Sequence, residues 1–165
     1  MPSSIFVVAA KRTPFGSFGG SLKSLSATDL GAEATKAALS QCGLDPSHVD
    51  AVFFGNACQS SPDAPYLARH VGLKANVPIS SPALTINRLC GSGFETVIQG
   101  YNLLRLGEGN VAVCGGSENM SMAPFNIDGN SVRWGVGLGT ELGMRDSLWD
   151  GLTDKLANMP MVRNE

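Results

Sequence analysis

The chain has 165 residues, a formal net charge of -2, 43% hydrophobic and 16% charged residues: a globular composition, long enough to bury a core and short of surface charge. Apart from Lys11-Arg12 its Lys and Arg stand singly, which excludes the basic stripe of a nucleic-acid binder, and no apolar run approaches the roughly 18 residues of a membrane span. The four cysteines, at positions 42, 58, 90 and 114, lack metal-binding spacing, and with no secretory segment at the start they point to a reducing compartment.

In chain order, residues 5–10 form a continuous apolar run, as expected of a strand covered on both faces. Lys11-Arg12-Thr13-Pro14 ends it, and Gly16, Gly19 and Gly20 make the next stretch a loop. Ser26 and Asp29 have capping-box spacing and start a helix that Gly43 ends. Leu30, Ala34, Ala37 and Ala38 form the small-residue face with which that helix is expected to lie on a sheet. Residues 49–54 read as a second strand, stopped by Gly55-Asn56. Residues 65–71 read as a short helix ended by Gly72. A proline-punctuated connector at 75–81 leads to a third strand at 83–86, and a fourth at 111–114 stops at Gly115-Gly116. This β, α, β, α, β, α, β alternation predicts one mainly parallel sheet with right-handed crossovers and helices on its faces.

Between the third strand and the next helix lies Cys90. Beyond it Phe94, Val97, Ile98, Tyr101 and Leu104 recur at spacings of three and four, which predicts a helix burying one apolar stripe. A strand that feeds a helix through a tight turn holds the turn residue at the tip of the sheet, beside the helix's unpaired N–H groups. Such a helix start favours a thiolate over a thiol, and the same N–H groups suit an oxyanion. Gly91 and Gly93 leave room for a substrate to approach the backbone. From these residues alone two readings of Cys90 stand: a nucleophile, or one more buried small side chain.

A cysteine nucleophile needs a base, and the two histidines, His48 and His70, fall in segments unconnected with this turn. Cys58 follows the end of the second strand, on the ligand side of a parallel sheet; a buried small side chain is the preferred reading and a site-lining thiol the other. After Ser117 the character changes. Met120, Met122, Phe125, Trp134, Met144 and Trp149 are spread through Gly- and Asn-rich sequence without a period, as in an excursion that covers a site or makes an interface. A short helical piece is expected within residues 146–156. With no closing strand or helix after it, the polypeptide is expected to be the N-terminal portion of a longer enzyme.

Asn87-Arg88-Leu89-Cys90-Gly91-Ser92-Gly93 resembles the active-site segment of the thiolase family. The resemblance extends to Val7-Val8-Ala9-Ala10-Lys11-Arg12-Thr13-Pro14-Phe15-Gly16, to Gly55-Asn56, to Tyr66-Leu67-Ala68-Arg69 and to Cys114-Gly115-Gly116-Ser117-Glu118-Asn119-Met120-Ser121. The branch most resembled is the mitochondrial-type 3-ketoacyl-CoA thiolases, N-terminal portion only. This implies an α/β, thiolase-like N-terminal half over residues 1–117, a mainly parallel sheet flanked by helices, and the start of a loop domain over 118–165.

It further implies that Cys90 is the acyl-thioester nucleophile of an acyltransferase that cleaves 3-ketoacyl-CoA with CoA to acetyl-CoA and a shortened acyl-CoA. Coenzyme A would be a substrate, with no permanently bound cofactor and no metal. The full-length protein would be a homodimer or homotetramer, mitochondrial, with peroxisome or cytoplasm as alternatives. Arg12 and Glu118 are expected to organise the site or an interface rather than to catalyse. The family's catalytic histidines and second cysteine belong to segments not found in this sequence, so the isolated chain is expected to be inactive. Two other functions remain open: an acetoacetyl-CoA-forming or other condensing enzyme, and a truncated interaction protein without activity.

Overall fold

Ser26 opens the first helix, α1 (Ala27–Cys42), for a local reason. Its Oγ accepts the Asp29 N–H at 3.0 Å and donates to Asp29 Oδ2 at 2.7 Å. Gly43, at φ 65°, ends the helix in the left-handed conformation that glycine adopts without penalty. A computed structural model describes residues 4–161; residues 1–3 and 162–165, at the ends of the two expected domains, lie outside the described residues.

After α1 come β1 (Ala51–Gly55), α2 (Leu67–Lys74), β2 (Ala83–Ile86), α3 (Ser92–Leu106) and β3 (Ala112–Gly116). The three strands form a parallel sheet in the order β2-β1-β3. In register, Gly55 of β1 stands opposite Ile86 of β2 and Gly116 of β3, so the three strands end at one level. Val52 and Phe54 of β1 join Ala27 and Leu39 of α1 and Leu67, Ala68 and Val71 of α2 in the buried core on one face. Alternation along the strand sends Phe53 to the other face, under α3.

Four expectations need correction. Residues 5–10 form no strand among the described residues, and Phe6, Val7 and Val8 are open, with Val7 85% exposed. A strand is held by a neighbouring ladder and covered faces, and the three-stranded sheet offers this run neither. Helix α1 buries Ala27, Thr28, Gly31, Ala32, Thr35 and Leu39 rather than the face of Leu30, Ala34, Ala37 and Ala38. Its threonines tolerate burial because each hydroxyl is paired: Thr28 donates to Asp63 Oδ2 at 2.8 Å and Thr35 to the Gly31 carbonyl at 2.8 Å. Gly72 lies inside α2, which runs on to Lys74 before Asn76 turns left-handed at φ 62°.

The largest departure concerns α3. Its buried residues are Ser92, Thr96 and Gly100, whereas Phe94 (78%), Val97, Ile98 and Tyr101 are exposed. The cause is proximity to the sheet. A Cβ on Gly55 would stand 2.8 Å from Ser92 Cβ, and one on Gly100 would overlap Cys114 Sγ, so only small side chains fit beneath the helix. Thr96 fits because its hydroxyl donates to the Gly93 carbonyl at 2.7 Å. Gly55→Ala is therefore expected to cost about 1–3 kcal/mol through overpacking, seen as a lower midpoint in urea unfolding.

Asp63 ties α1 to α2. Its Oδ1 accepts the Ser61 hydroxyl at 2.6 Å, while Oδ2 accepts Thr28 and lies 3.2 Å from His70 Nδ1. These partners, Ser61 first and then Thr28 and His70, hold its carboxyl down at about 2, against 3.8 ordinarily. A folded-state value below the unfolded one means stability that is complete above the unfolded value and is lost as pH falls toward the folded one. The melting temperature of the native chain is expected to drop between about pH 4 and 2, and its advantage over Asp63→Asn to shrink across that window.

Beyond Ser117 the elements are short: an antiparallel pair β4 (Phe125–Ile127) and β5 (Met144–Asp146), with α4 (Gly129–Val132) between them, then α5 (Ser147–Gly151) and the pair β6 (Thr153–Asp154) and β7 (Met159–Pro160). Helix α5 falls within the stretch where a helical piece was expected. Asn119 anchors the start of this region, its Nδ2 donating to the carbonyls of Lys23 at 3.1 Å and Leu25 at 2.6 Å. Gly19 N–H donates to Ser121 Oγ at 2.9 Å, so the glycine-rich loop is clasped from the far end of the chain. Among the described residues no helix is long and apolar enough to cross a membrane.

Candidate active site

The turn between β2 and α3 is built by its own polar residues. Asn87 Oδ1 accepts the Leu89 N–H at 3.0 Å. Leu89 sits at φ 49°, a conformation that costs a branched residue about 1–2 kcal/mol. Two backbone bonds close the bend, Gly91 N–H to the Arg88 carbonyl at 3.0 Å and Ser92 N–H to the Leu89 carbonyl at 3.1 Å. Ser92 fastens it from inside the helix, accepting from Arg88 N–H at 2.9 Å and donating to the Leu89 carbonyl at 2.6 Å. Arg88 Nη1 pairs with Glu95 Oε2 at 2.6 Å over the first turn of the helix.

Cys90 stands on this bend with its thiol free, in an exposed residue immediately before the helix-capping Gly91. The position of Gly93 opens onto unoccupied space, with nothing within 4 Å of where a Cβ would be. A small thiol at a sharp strand-to-helix turn, with open space beside it, is accessible to a carbonyl carbon. Neither histidine belongs to this turn. His48 closes the short 3-10 helix Pro46–His48 ahead of β1, at the opposite end of the parallel sheet, and His70 is engaged by Asp63 and stacked on Tyr66 at 5.8 Å between centroids.

The loop after β1 brings up a second thiol. Cys58 is half-buried rather than enclosed. Its thiol is pushed up to about 11, first by burial, then by the charge of Glu118 and a hydrogen bond to it, with a further contribution from Cys90. Glu118 follows β3 and reaches across the strand ends to this loop. It accepts the Ala57 N–H, the Cys58 N–H at 3.2 Å and Asn56 Nδ2 at 3.1 Å. Asn56 is fully buried and also donates to the Ser117 carbonyl at 2.8 Å. Asn87 Nδ2 donates to the Ala57 carbonyl at 3.2 Å, joining the Cys58 loop to the Cys90 turn.

Sequence reasoning named Glu118 without its partners. The alignment of Gly55 with Gly116 across the sheet, which places the two loops side by side, is the signal it lacked. Arg12 stands on the wall of a cleft of about 460 Å³, its guanidinium 4.6 Å above the Phe15 ring. Glu118 lines that cleft; Cys90 and Cys58 do not. Among the described residues no group of three His, Cys, Asp or Glu side chains is placed to hold a metal ion.

The family model described as "Thiolase, N-terminal domain" matches residues 5–163. The human protein named "3-ketoacyl-CoA thiolase, mitochondrial" is 53% identical over 158 residues, covering 96% of this chain and 39% of the relative. The beta-ketothiolase BktB of Cupriavidus necator is 37% identical over 161 residues, covering 98% of this chain and 40% of the relative. In three dimensions the chain superposes on human mitochondrial 3-ketoacyl-CoA thiolase in complex with CoA with a TM-score of 0.90 at 53% identity, covering 94% of this chain and 39% of that one. The chain thus spans about two fifths of the length of these relatives.

Proposed function

Because this chain belongs to the thiolase family, we propose that it supplies the nucleophile-bearing part of a CoA-dependent acyltransferase that cleaves 3-ketoacyl-CoA with CoA. The observation that carries the reading is the exposed thiol of Cys90 on the left-handed turn between β2 and α3. In this reading the Cys90 thiolate adds to the 3-keto carbon, and the bond between carbons 2 and 3 breaks. The electron pair leaves on the acetyl-CoA fragment, which takes up a proton, while the acyl group stays on sulfur. The thiol of CoA, losing its proton, then attacks that thioester and carries the shortened acyl group away as acyl-CoA, returning Cys90 as thiolate. A thioester suits this sequence because it is activated toward a second thiol.

On the same reading residues 1–117 are the nucleophile domain and 118–165 the opening of a loop region. Coenzyme A acts as substrate, the working protein is a homodimer or homotetramer, and its compartment is the mitochondrion, as in the name of the human relative. The test is covalent. Incubation with a 3-ketoacyl-CoA should add one acyl mass to the peptide carrying Cys90 and none to a Cys90→Ala chain. The measurement is made on the 165-residue chain and on one extended to the length of the relatives. Absence of the adduct from the extended polypeptide overturns the reading. Product analysis with acetyl-CoA alone separates cleavage from a condensing role.

A further inference from the structure

Glu118 is used by nothing in the acyl-transfer scheme, yet its carboxylate is held by three donors at the strand ends. It receives two consecutive backbone N–H groups, those of Ala57 and Cys58, and the amide of the fully buried Asn56. From there the connection continues. The carbonyl of Ala57 holds Asn87 Nδ2 at 3.2 Å, and Asn87 Oδ1 holds the N–H of the left-handed Leu89 at 3.0 Å, one residue before Cys90. A hydrogen-bonded path therefore runs from Glu118, through the loop after β1, to the turn that presents Cys90. We propose that Glu118 is the positioning residue of this site: its carboxylate fixes the Cys58 loop and, through Asn87, the Cys90 turn, and its charge, set against Cys58, disfavours a thiolate there.

The inference rests on Cys90 being the nucleophile and adds a reason why Cys58 does not compete. A second thiol on a loop bonded to the Cys90 turn invites acylation of the wrong one. Burial first, then the charge and hydrogen bond of Glu118 and, last, the charge of Cys90 hold Cys58 as a thiol at neutral pH. A thiol of that kind is a poor nucleophile, because the thiolate is the reactive species.

The experiment is alkylation of the 165-residue chain by iodoacetamide across a pH series, with rates at Cys58 and Cys90 read separately by peptide mass mapping. Far-UV circular dichroism controls for folding. In the native chain Cys90 is expected to react at least about tenfold faster than Cys58 at pH 8, and the Cys58 profile to reach its midpoint only above about pH 10. Glu118→Gln keeps the size and an acceptor oxygen but removes the charge. It is expected to speed Cys58 labelling about three- to tenfold, to move its profile to lower pH, and to narrow the ratio between the two thiols. An unchanged Cys58 profile in a folded Glu118→Gln chain overturns the proposal. If that variant does not fold, the native profile decides: a Cys58 midpoint near the ordinary value, about 8.5, overturns it equally. Failure of Cys90 acylation would count against the proposed reaction and leave this ratio intact, so the two readings fail separately.

Discussion

Replacing Cys90 with alanine in a polypeptide extended to the length of the relatives is expected to lower thiolytic turnover by about 10⁴-fold or more, the scale seen when a covalent nucleophile is deleted. The loss should appear in kcat, with the acyl adduct missing from the Cys90 peptide and the thermal midpoint little changed, since the residue is exposed and packs against little. Cys42→Ala is the matched control. Its thiol lies at the end of α1, 3.4 Å from the carbonyls of Ala38 and Leu39, remote from the β2-α3 turn, and turnover should stay within about twofold. A Cys90→Ala enzyme retaining a tenth of the native rate would dismiss the thioester route.

The second large effect concerns the chain by itself. The 165-residue chain is expected to turn over 3-ketoacyl-CoA at least about 100-fold more slowly than the extended polypeptide. Thiolysis requires a proton acceptor for the attacking thiol and a donor for the departing acetyl-CoA carbanion. His70 is committed to Asp63, and His48 lies at the wrong end of the sheet. Cys58 stays protonated near neutral pH, which leaves it unable to serve as the base. The outward apolar face of α3 adds a second handicap, because Phe94 and its neighbours leave the helix carrying the Cys90 turn uncovered on that side. Loss of the thioester of 3-ketoacyl-CoA, followed with equal molar amounts of both polypeptides, is the measurement; matching rates would refute the expectation.

Much of the architecture was legible because it is encoded locally. Ser26 with Asp29, Gly43, and the short apolar run of Ala83–Ile86 mark their elements without reference to the rest of the chain. The Cys90 turn was legible for the same reason, since its glycines and Asn87 shape it from within. Two faces were misjudged where a tertiary constraint outranked periodicity. In α3 the apolar spacing is real, but closeness to Gly55 and Cys114 admits only Ser92, Thr96 and Gly100 beneath the helix, so the stripe turns outward. In α1 buried threonines replaced the expected alanines, because hydrogen bonds to Asp63 and to the helix itself offset their polarity. Residues 5–10 have a strand's composition without a strand's neighbours, and pairing is a property of two segments. The Glu118 network was illegible for the related reason that it joins positions some sixty residues apart.

The clasp between Asn119, Ser121 and the loop of residues 19–25 bears on how this molecule breathes. Its bonds link positions 94 to 102 residues apart, so none survives the release of either partner segment. The amide of Gly19 is held by Ser121 Oγ, and the side chain of Asn119 holds the Leu25 carbonyl. In native-state hydrogen exchange the Gly19 amide should therefore lose protection when the clasp opens, with an opening free energy below that of the β1 core. Two stretches that are far apart along the polypeptide would then behave as one unit of fluctuation, opening the wall of the Arg12 cleft while the sheet remains closed.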